Sequence, residues 1–179
     1  LDFRRVLFRS GCSGGTVAPV TTGPWVEGGL PEYCAGYDGA DAGFWEAVHS
    51  SCQVAQDGDL LQADALEQVL SDLDTDDVAR FQRTLVRLNR SLRGIAPVAD
   101  EICLPGLGLG QDLGTDYRTW VIAHGQAVYE ALLADPDRLR DLPDAHDGCG
   151  LGQPYGEVAF GLYLERTGRS PADAGLPGL

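Results

Sequence analysis

The chain has 179 residues, 44% of them hydrophobic, and a formal charge of −14 from 27 acidic and 13 basic residues. All the basic residues are Arg and no Lys occurs; with so large an acid excess no basic patch can displace counterions from phosphates, which excludes nucleic-acid binding. An anionic membrane surface would repel such a chain, and no run approaches the roughly 20 apolar residues of a spanning helix.

Residues 1–10 (LDFRRVLFRS) are expected to be a translated sequencing-adapter artefact joined to a gene fragment. They hold three of the 13 Arg, no Met occurs anywhere, and the composition changes at Gly11. Gly11-Cys12-Ser13-Gly14-Gly15 resembles the end of a bacterial lipoprotein signal, in which a small residue precedes the Cys that becomes lipidated. Residues 11–40 are therefore expected to form a flexible tether after a lipidated Cys12. That places the protein outside the cytoplasm, on the membrane only through its lipid. The five Cys agree with this: with Cys12 lipidated, Cys34, Cys52, Cys103 and Cys149 remain for two disulfides in an oxidising compartment. Of the three pairings, Cys34–Cys52 and Cys103–Cys149 are favoured.

From Asp41 to Gly168 the pattern is helical, with Gly- and Pro-rich loops. Asp41 is a plausible N-cap before Phe44, Trp45, Val48 and Cys52, which recur at helical spacing. Leu66, Val69, Leu70 and Leu73 make a second stripe. Asp74 or Thr75 caps a third helix, with Asp76 and Asp77 in its dipole-matched first turn. Its buried face is Val78, Phe81, Leu85, Leu88 and Leu92, while Arg80, Arg83, Arg87 and Arg90 face water.

Gly94 to Gly114, with Pro97, Pro105 and several further Gly, reads as one long irregular loop. Thr115 is then expected to cap a single helix of about 20 residues ending at Asp135. Pro136 opens a short fifth helix capped by Asp135. After a second loop a last helix runs from Pro154 to Thr167, with Gly168 at its C′ position. The tail, 169–179, is expected to be disordered. Period-two alternation is absent, so the fold class is all-α: one compact domain of five to six helices, its core led by Trp45, Phe81, Leu85, Tyr117, Trp120, Val121 and Tyr163.

Asp116-Tyr117-Arg118-Thr119-Trp120-Val121-Ile122-Ala123-His124-Gly125, then Tyr129, then Asp135-Pro136-Asp137-Arg138-Leu139, resembles the central block of the bacterial domain of unknown function 4240 family. Its pattern is roughly D-[FY]-R-x-W-[LV]-I-x-x-G, Y, D-P-D-x-L. Phe44-Trp45, the stripe Phe81, Leu85 and Leu88, and the closing Val158-Ala159, Tyr163 and Thr167-Gly168 fit the same family. The resemblance implies a helical fold and carries no established activity.

Tyr117, Val121, His124, Val128 and Leu132 share one helical face, with Trp120 at its edge; Arg118, Ile122, Gly125 and Tyr129 form the adjacent stripe. A functional reading puts Arg118 and His124 in one pocket, clamping an anion and moving protons, with Asp116 as the acid. A structural reading makes Arg118 a partly buried salt-bridge partner, His124 a packed edge residue and Gly125 a close helix contact. The structural reading is preferred, because no nucleophile or second catalytic group stands at diagnostic spacing.

His49 with Cys52 and His146 with Cys149 are two His-x-x-Cys pairs able to close a tetrahedral zinc site, but no Cys-x-x-Cys knuckle occurs and disulfides use the same Cys. Asp72 to Asp77 starts like a calcium loop but lacks its Gly at position six and its Glu at position twelve. Gly106-x-Gly108-x-Gly110 has no preceding strand for a dinucleotide fingerprint, and no Gly-x-Ser-x-Gly elbow exists. No cofactor is expected. The favoured function is a non-catalytic binding module at the envelope, with a protein or small-molecule partner. The alternative is a small hydrolase using His124 and Arg118 in a shallow pocket.

Overall fold

A computed structural model describes residues 33–57, 61–103, 111–142, 152–170 and 172–179. Among them are seven α-helices and no strand: α1 (Ala42–Asp57), α2 (Gln62–Ser71), α3 (Thr75–Ser91), α4 (Ala96–Ile102), α5 (Gln111–Ala123), α6 (Gln126–Ala134) and α7 (Gln153–Thr167). Two 3-10 turns, Leu92–Ile95 and Pro136–Asp141, complete the set. The residues expected to be adapter, most of the tether, Cys12, His146, Cys149 and the Gly106–Gly110 run lie outside the described residues.

The terminal signals act as their chemistry requires. Asp74 accepts the Asp77 amide at 2.8 Å, satisfying one of the orphan donors at the start of α3. Asp135 accepts from the Asp137 amide, with Pro136 where a missing N–H costs nothing. Gly168 closes α7 in the left-handed conformation, φ 64°. The Asp41 carbonyl accepts the amides of Phe44 and Trp45, while its carboxylate reaches Arg87 across to α3.

α1 and α2 pack as a pair, and α7 lies against α2, α3 and α5. The core runs through Val48, Leu66, Leu70, Val78, Leu85, Val121, Ile122, Val128, Leu132 and Leu139, all without solvent exposure. Fully burying one such side chain contributes about 1.5–3 kcal/mol. Phe44 stacks on Phe81 at 4.6 Å and meets Trp45, which meets Tyr129 at 5.3 Å; this joins α1, α3 and α6. Ser91 donates to the Leu88 carbonyl and receives the Tyr129 hydroxyl at 2.7 Å. Arg166 donates to the carbonyls of Leu70, Ser71 and Leu73, so α7 caps the C-terminus of α2.

Several expectations need correction. The stretch expected as one irregular loop holds the end of the Leu92–Ile95 turn, α4 and the start of α5; Pro97 falls in the first turn of α4, where helices accept Pro. Thr115 is not a cap but lies inside α5, which starts at Gln111. Tyr117, Trp45 and Phe81 are core residues, whereas Trp120 and Tyr163 are only partly buried at its edge. In the tail, residues 172–175 turn, Leu176 is buried, and the Pro177 carbonyl accepts from Gln82 on α3.

The largest correction concerns the long fourth helix, which is two helices. His124 and Gly125 close α5 with bonds to Val121 and Ile122, one residue tighter than α-helical pairing. Gly125 then takes φ 104°, ψ 171°, a conformation glycine tolerates and side-chain-bearing residues resist, and its carbonyl starts α6 by accepting the Tyr129 amide.

Candidate functional site

The break between α5 and α6 exposes carbonyls that a continuous helix would have used, and the segment before α1 and the first residue of α2 supply donors for them. The Cys34 amide donates to the His124 carbonyl at 3.1 Å, and Gln62 Nε2 to the Ala123 carbonyl at 2.6 Å. Gln126, first in α6, accepts the Asp38 amide through Oε1 and donates from Nε2 to the Asp38 carbonyl and to Glu130. Cys34 is itself buried at φ 57° and is disulfide-bonded to Cys52 on α1, with Cα atoms 5.7 Å apart. The disulfide thus clamps residues 33–38 over the joint.

His124 sits inside this joint, 8% exposed. Its Nδ1–H donates to the Trp120 carbonyl at 2.8 Å, which fixes the tautomer, and its ring meets Trp120 and Tyr33 edge-on at 4.6 and 4.3 Å. Arg118 points elsewhere: six residues of helix separate the two side chains by roughly 120° around the axis. Its Nε donates to Asn89 Oδ1 at 2.9 Å and its Nη2 to Thr115 Oγ1 at 3.1 Å.

These partners are neutral, so the expected salt bridge at Arg118 is replaced by a polar hub. Asn89 is the one Asn of the chain and is 2% exposed. Its Nδ2 donates to the Thr115 carbonyl and to Thr119 Oγ1, both at 2.8 Å. Burial and the neighbouring Arg93 charge lower the Arg118 pKa from its usual value. Asp116 is raised, by burial first and then by Asp112 and Glu157. The three residues therefore have separate partners among the described residues.

Of the metal candidates, His49 and Cys52 lie among the described residues, one turn apart on α1. Cys52 sulfur is bonded to Cys34 and is not the thiolate that zinc requires. His49 packs against Tyr37, and its Nδ1 is buried without a hydrogen-bond partner. Cys103 is buried and disulfide-bonded; Cys149, its expected partner, and His146 lie outside the described residues. Among the described residues no three His, Cys, Asp or Glu side chains converge as a metal site.

The family model described as Protein of unknown function (DUF4240) matches residues 40–164, from the turn before α1 into the last turns of α7. The chain belongs to this family. No curated protein and no solved structure matches it. In this DUF4240 domain the motif block coincides with α5, the joint and α6, and its closing Gly is the residue at which the helix breaks.

A different place in the fold is open. A cleft of about 250 Å³ lies between α1, the end of α2 and the start of α3. Phe44, Ala47, Val69, Leu73 and Phe81 give it an apolar floor, and Asp41, Glu46, Asp72, Asp77 and Arg80 stand around it. Asp41 pairs with Arg87 and Asp77 with Arg80. A second, shallower groove of about 490 Å³ runs between α2 and α7, edged by Asp64, Glu67, Glu157 and Glu165. Sequence reasoning passed over the first cleft because its walls come from three helices, and Phe44 and Phe81 read only as core. The cluster at Asp72–Asp77, read from sequence as a helix cap, does cap α3 and also forms one side of this cleft.

Proposed function

We propose that this DUF4240 domain is a non-catalytic interaction module at the bacterial envelope, receiving a side chain of a partner protein in the α1–α3 cleft. One observation carries the reading: the cleft, about 250 Å³ with an apolar floor, falls below the roughly 300–1,000 Å³ of pockets that enclose cofactors and small substrates. Its apolar floor suits one buried anchor side chain, the kind of residue that carries most of the binding energy at protein interfaces. The separation of His124, Arg118 and Asp116 agrees, since acid–base catalysis needs its groups within hydrogen-bond reach of one reacting centre.

The envelope part rests on the lipoprotein-like Cys12 and on the Cys34–Cys52 disulfide, a bond that persists in oxidising compartments. Two experiments test the proposal. Peptide display against the folded protein is expected to yield sequences that shift the amide resonances of Phe44, Ala47 and Phe81. A panel of esters, amides and phosphoesters is expected to show no turnover; turnover abolished by His124→Ala in a folded protein overturns the reading. For the envelope part, protein expressed from its complete gene is expected to incorporate an alkyne fatty acid and to lose the label in Cys12→Ser. An unlabelled wild type refutes the anchor.

A further inference from the structure

We infer that the α1–α3 cleft selects a basic peptide segment: one large apolar side chain enters the cleft, and Lys or Arg neighbours in the same peptide meet Glu46 and Asp72. This deepens the interaction-module reading and rests on it.

The floor sets the apolar half of the recognition. Phe44 and Phe81 are stacked at 4.6 Å and face a volume of about 250 Å³. An aromatic or Leu-sized side chain entering it leaves water and meets two rings already fixed by their stacking, so little ordering cost is added on the receptor side. The rim sets the charged half. Four carboxylates and one guanidinium line the opening. Arg80 is taken by Asp77, and Asp41 is taken by Arg87. Glu46 and Asp72 have no ion pair among the described residues and stand on different elements, α1 and the end of α2.

A cation in the partner gains two carboxylates without displacing an internal one, whereas an acidic partner meets uncompensated like charge. The net charge of −14 extends this preference beyond contact distance and steers cationic segments toward the protein at low salt. Because the apolar volume holds about one side chain, the charges must lie beside the anchor in the peptide sequence, one or two residues away.

Two capped 12-residue peptides test this on the full chain: one with a central Trp flanked on each side by Arg, the other identical except for Glu in place of Arg. Binding is read by fluorescence anisotropy, and its location by amide shifts. The Arg peptide is expected to bind at least tenfold tighter at 50 mM salt, with the advantage shrinking at 500 mM as rim charges are screened.

In Glu46→Gln/Asp72→Asn the Arg peptide is expected to weaken about fivefold, the scale of two partly exposed ion pairs, with the Glu peptide weakened far less. Ser50→Trp, which plugs the cleft from its edge, is expected to abolish binding of both. Should that variant misfold, shifts confined to Phe44, Ala47 and Phe81 in the native protein give the location instead. Equal affinity for the two peptides with shifts in this cleft overturns the charge selection and leaves the interaction module standing. Shifts confined to the α2–α7 groove overturn the site. Absence of any peptide binding at millimolar concentration overturns both readings.

Discussion

Replacing Asn89 with Ala tests whether Arg118 belongs to a structural hub or to a site. The substitution deletes three hydrogen bonds of 2.8, 2.8 and 2.9 Å: two donated by Nδ2 to Thr115 and Thr119, and one accepted from Arg118 Nε. Two are neutral and contribute about 0.5–1.5 kcal/mol each, while the third involves a charged donor and contributes about 1.5–3 kcal/mol. The Thr115 carbonyl keeps the Thr119 hydroxyl at 3.0 Å, which softens the loss, and Arg118 Nη2 keeps Thr115 Oγ1. The expected cost is therefore about 3 kcal/mol. For a domain of about 130 residues this lowers Tm by roughly 10 °C.

Thermal unfolding followed by circular dichroism at 222 nm, with urea midpoints as a second measure, reads the effect. Asn89→Asp separates a hub from a simple need for charge near Arg118. The carboxylate keeps an acceptor for Arg118 but turns an oxygen on the Thr115 carbonyl, so it is expected to destabilise about as much as Ala. A Tm within 3 °C of wild type for Asn89→Ala, or a stabilised Asn89→Asp, would refute the hub.

A Cβ on Gly152 would lie 2.3 Å from the Asp116 carbonyl oxygen and the Trp120 nitrogen, backbone atoms that cannot swing aside. Gly152→Ala should therefore cost about 3 kcal/mol or more, while Gly161→Ala, with nothing within 4 Å, should raise stability by about 0.5–1 kcal/mol; differential scanning calorimetry of the pair checks the contrast. Removing the Cys34–Cys52 bond as a double Ser variant should cost about 3 kcal/mol for a loop of 18 residues, and amide exchange should accelerate at Cys34 and Asp38; unchanged exchange there would mean the clamp does not depend on the disulfide. Asp116 has a raised pKa, so its ionised form opposes folding, and the penalty appears as pH rises through that pKa. Asp116→Asn should accordingly raise Tm at pH 7, with the gain fading toward pH 4; a gain independent of pH would point to packing instead.

How much of this was legible depended on whether a signal was local. Asp74, Pro136 and Gly168 act through their immediate neighbours, so their caps read directly. Pro97 falls in a stretch that reads as a loop because its role changes with its distance from a helix start, here Ala96. Gly125 misled in the opposite direction. A glycine inside a helical stripe costs only about 1 kcal/mol relative to Ala, too little to distinguish a tolerated residue from a break. The polar side chains of the hub and the joint were missed for a related reason. Asn89, Gln62 and Gln126 are polar at helical spacing, which reads as a wet face until their partners, 26 to 88 residues away, are known. The walls of the cleft come from three helices, and no periodicity reports which helices are neighbours.

The motif block and the proposed site therefore answer different physical demands. A chain that breaks a helix inside its core must satisfy the freed carbonyls, and this DUF4240 domain does so with the Cys34 amide, the Gln62 side chain and a histidine bonded within its own turn. The Cys34 amide and the Gln62 side chain are thereby committed to the joint, and His124 has its Nδ1–H bonded to Trp120 and its ring packed between Trp120 and Tyr33. Glu46 and Asp72 are in the reverse position: no internal hydrogen bond or ion pair requires them among the described residues, and both border an apolar opening. Their replacement should leave stability almost unchanged, since Asp72 is exposed, Glu46 is half-buried and neither makes an ion pair among the described residues, while altering what the domain binds. Recognition would then be read at those two positions, and the motif residues at the joint would report on folding alone.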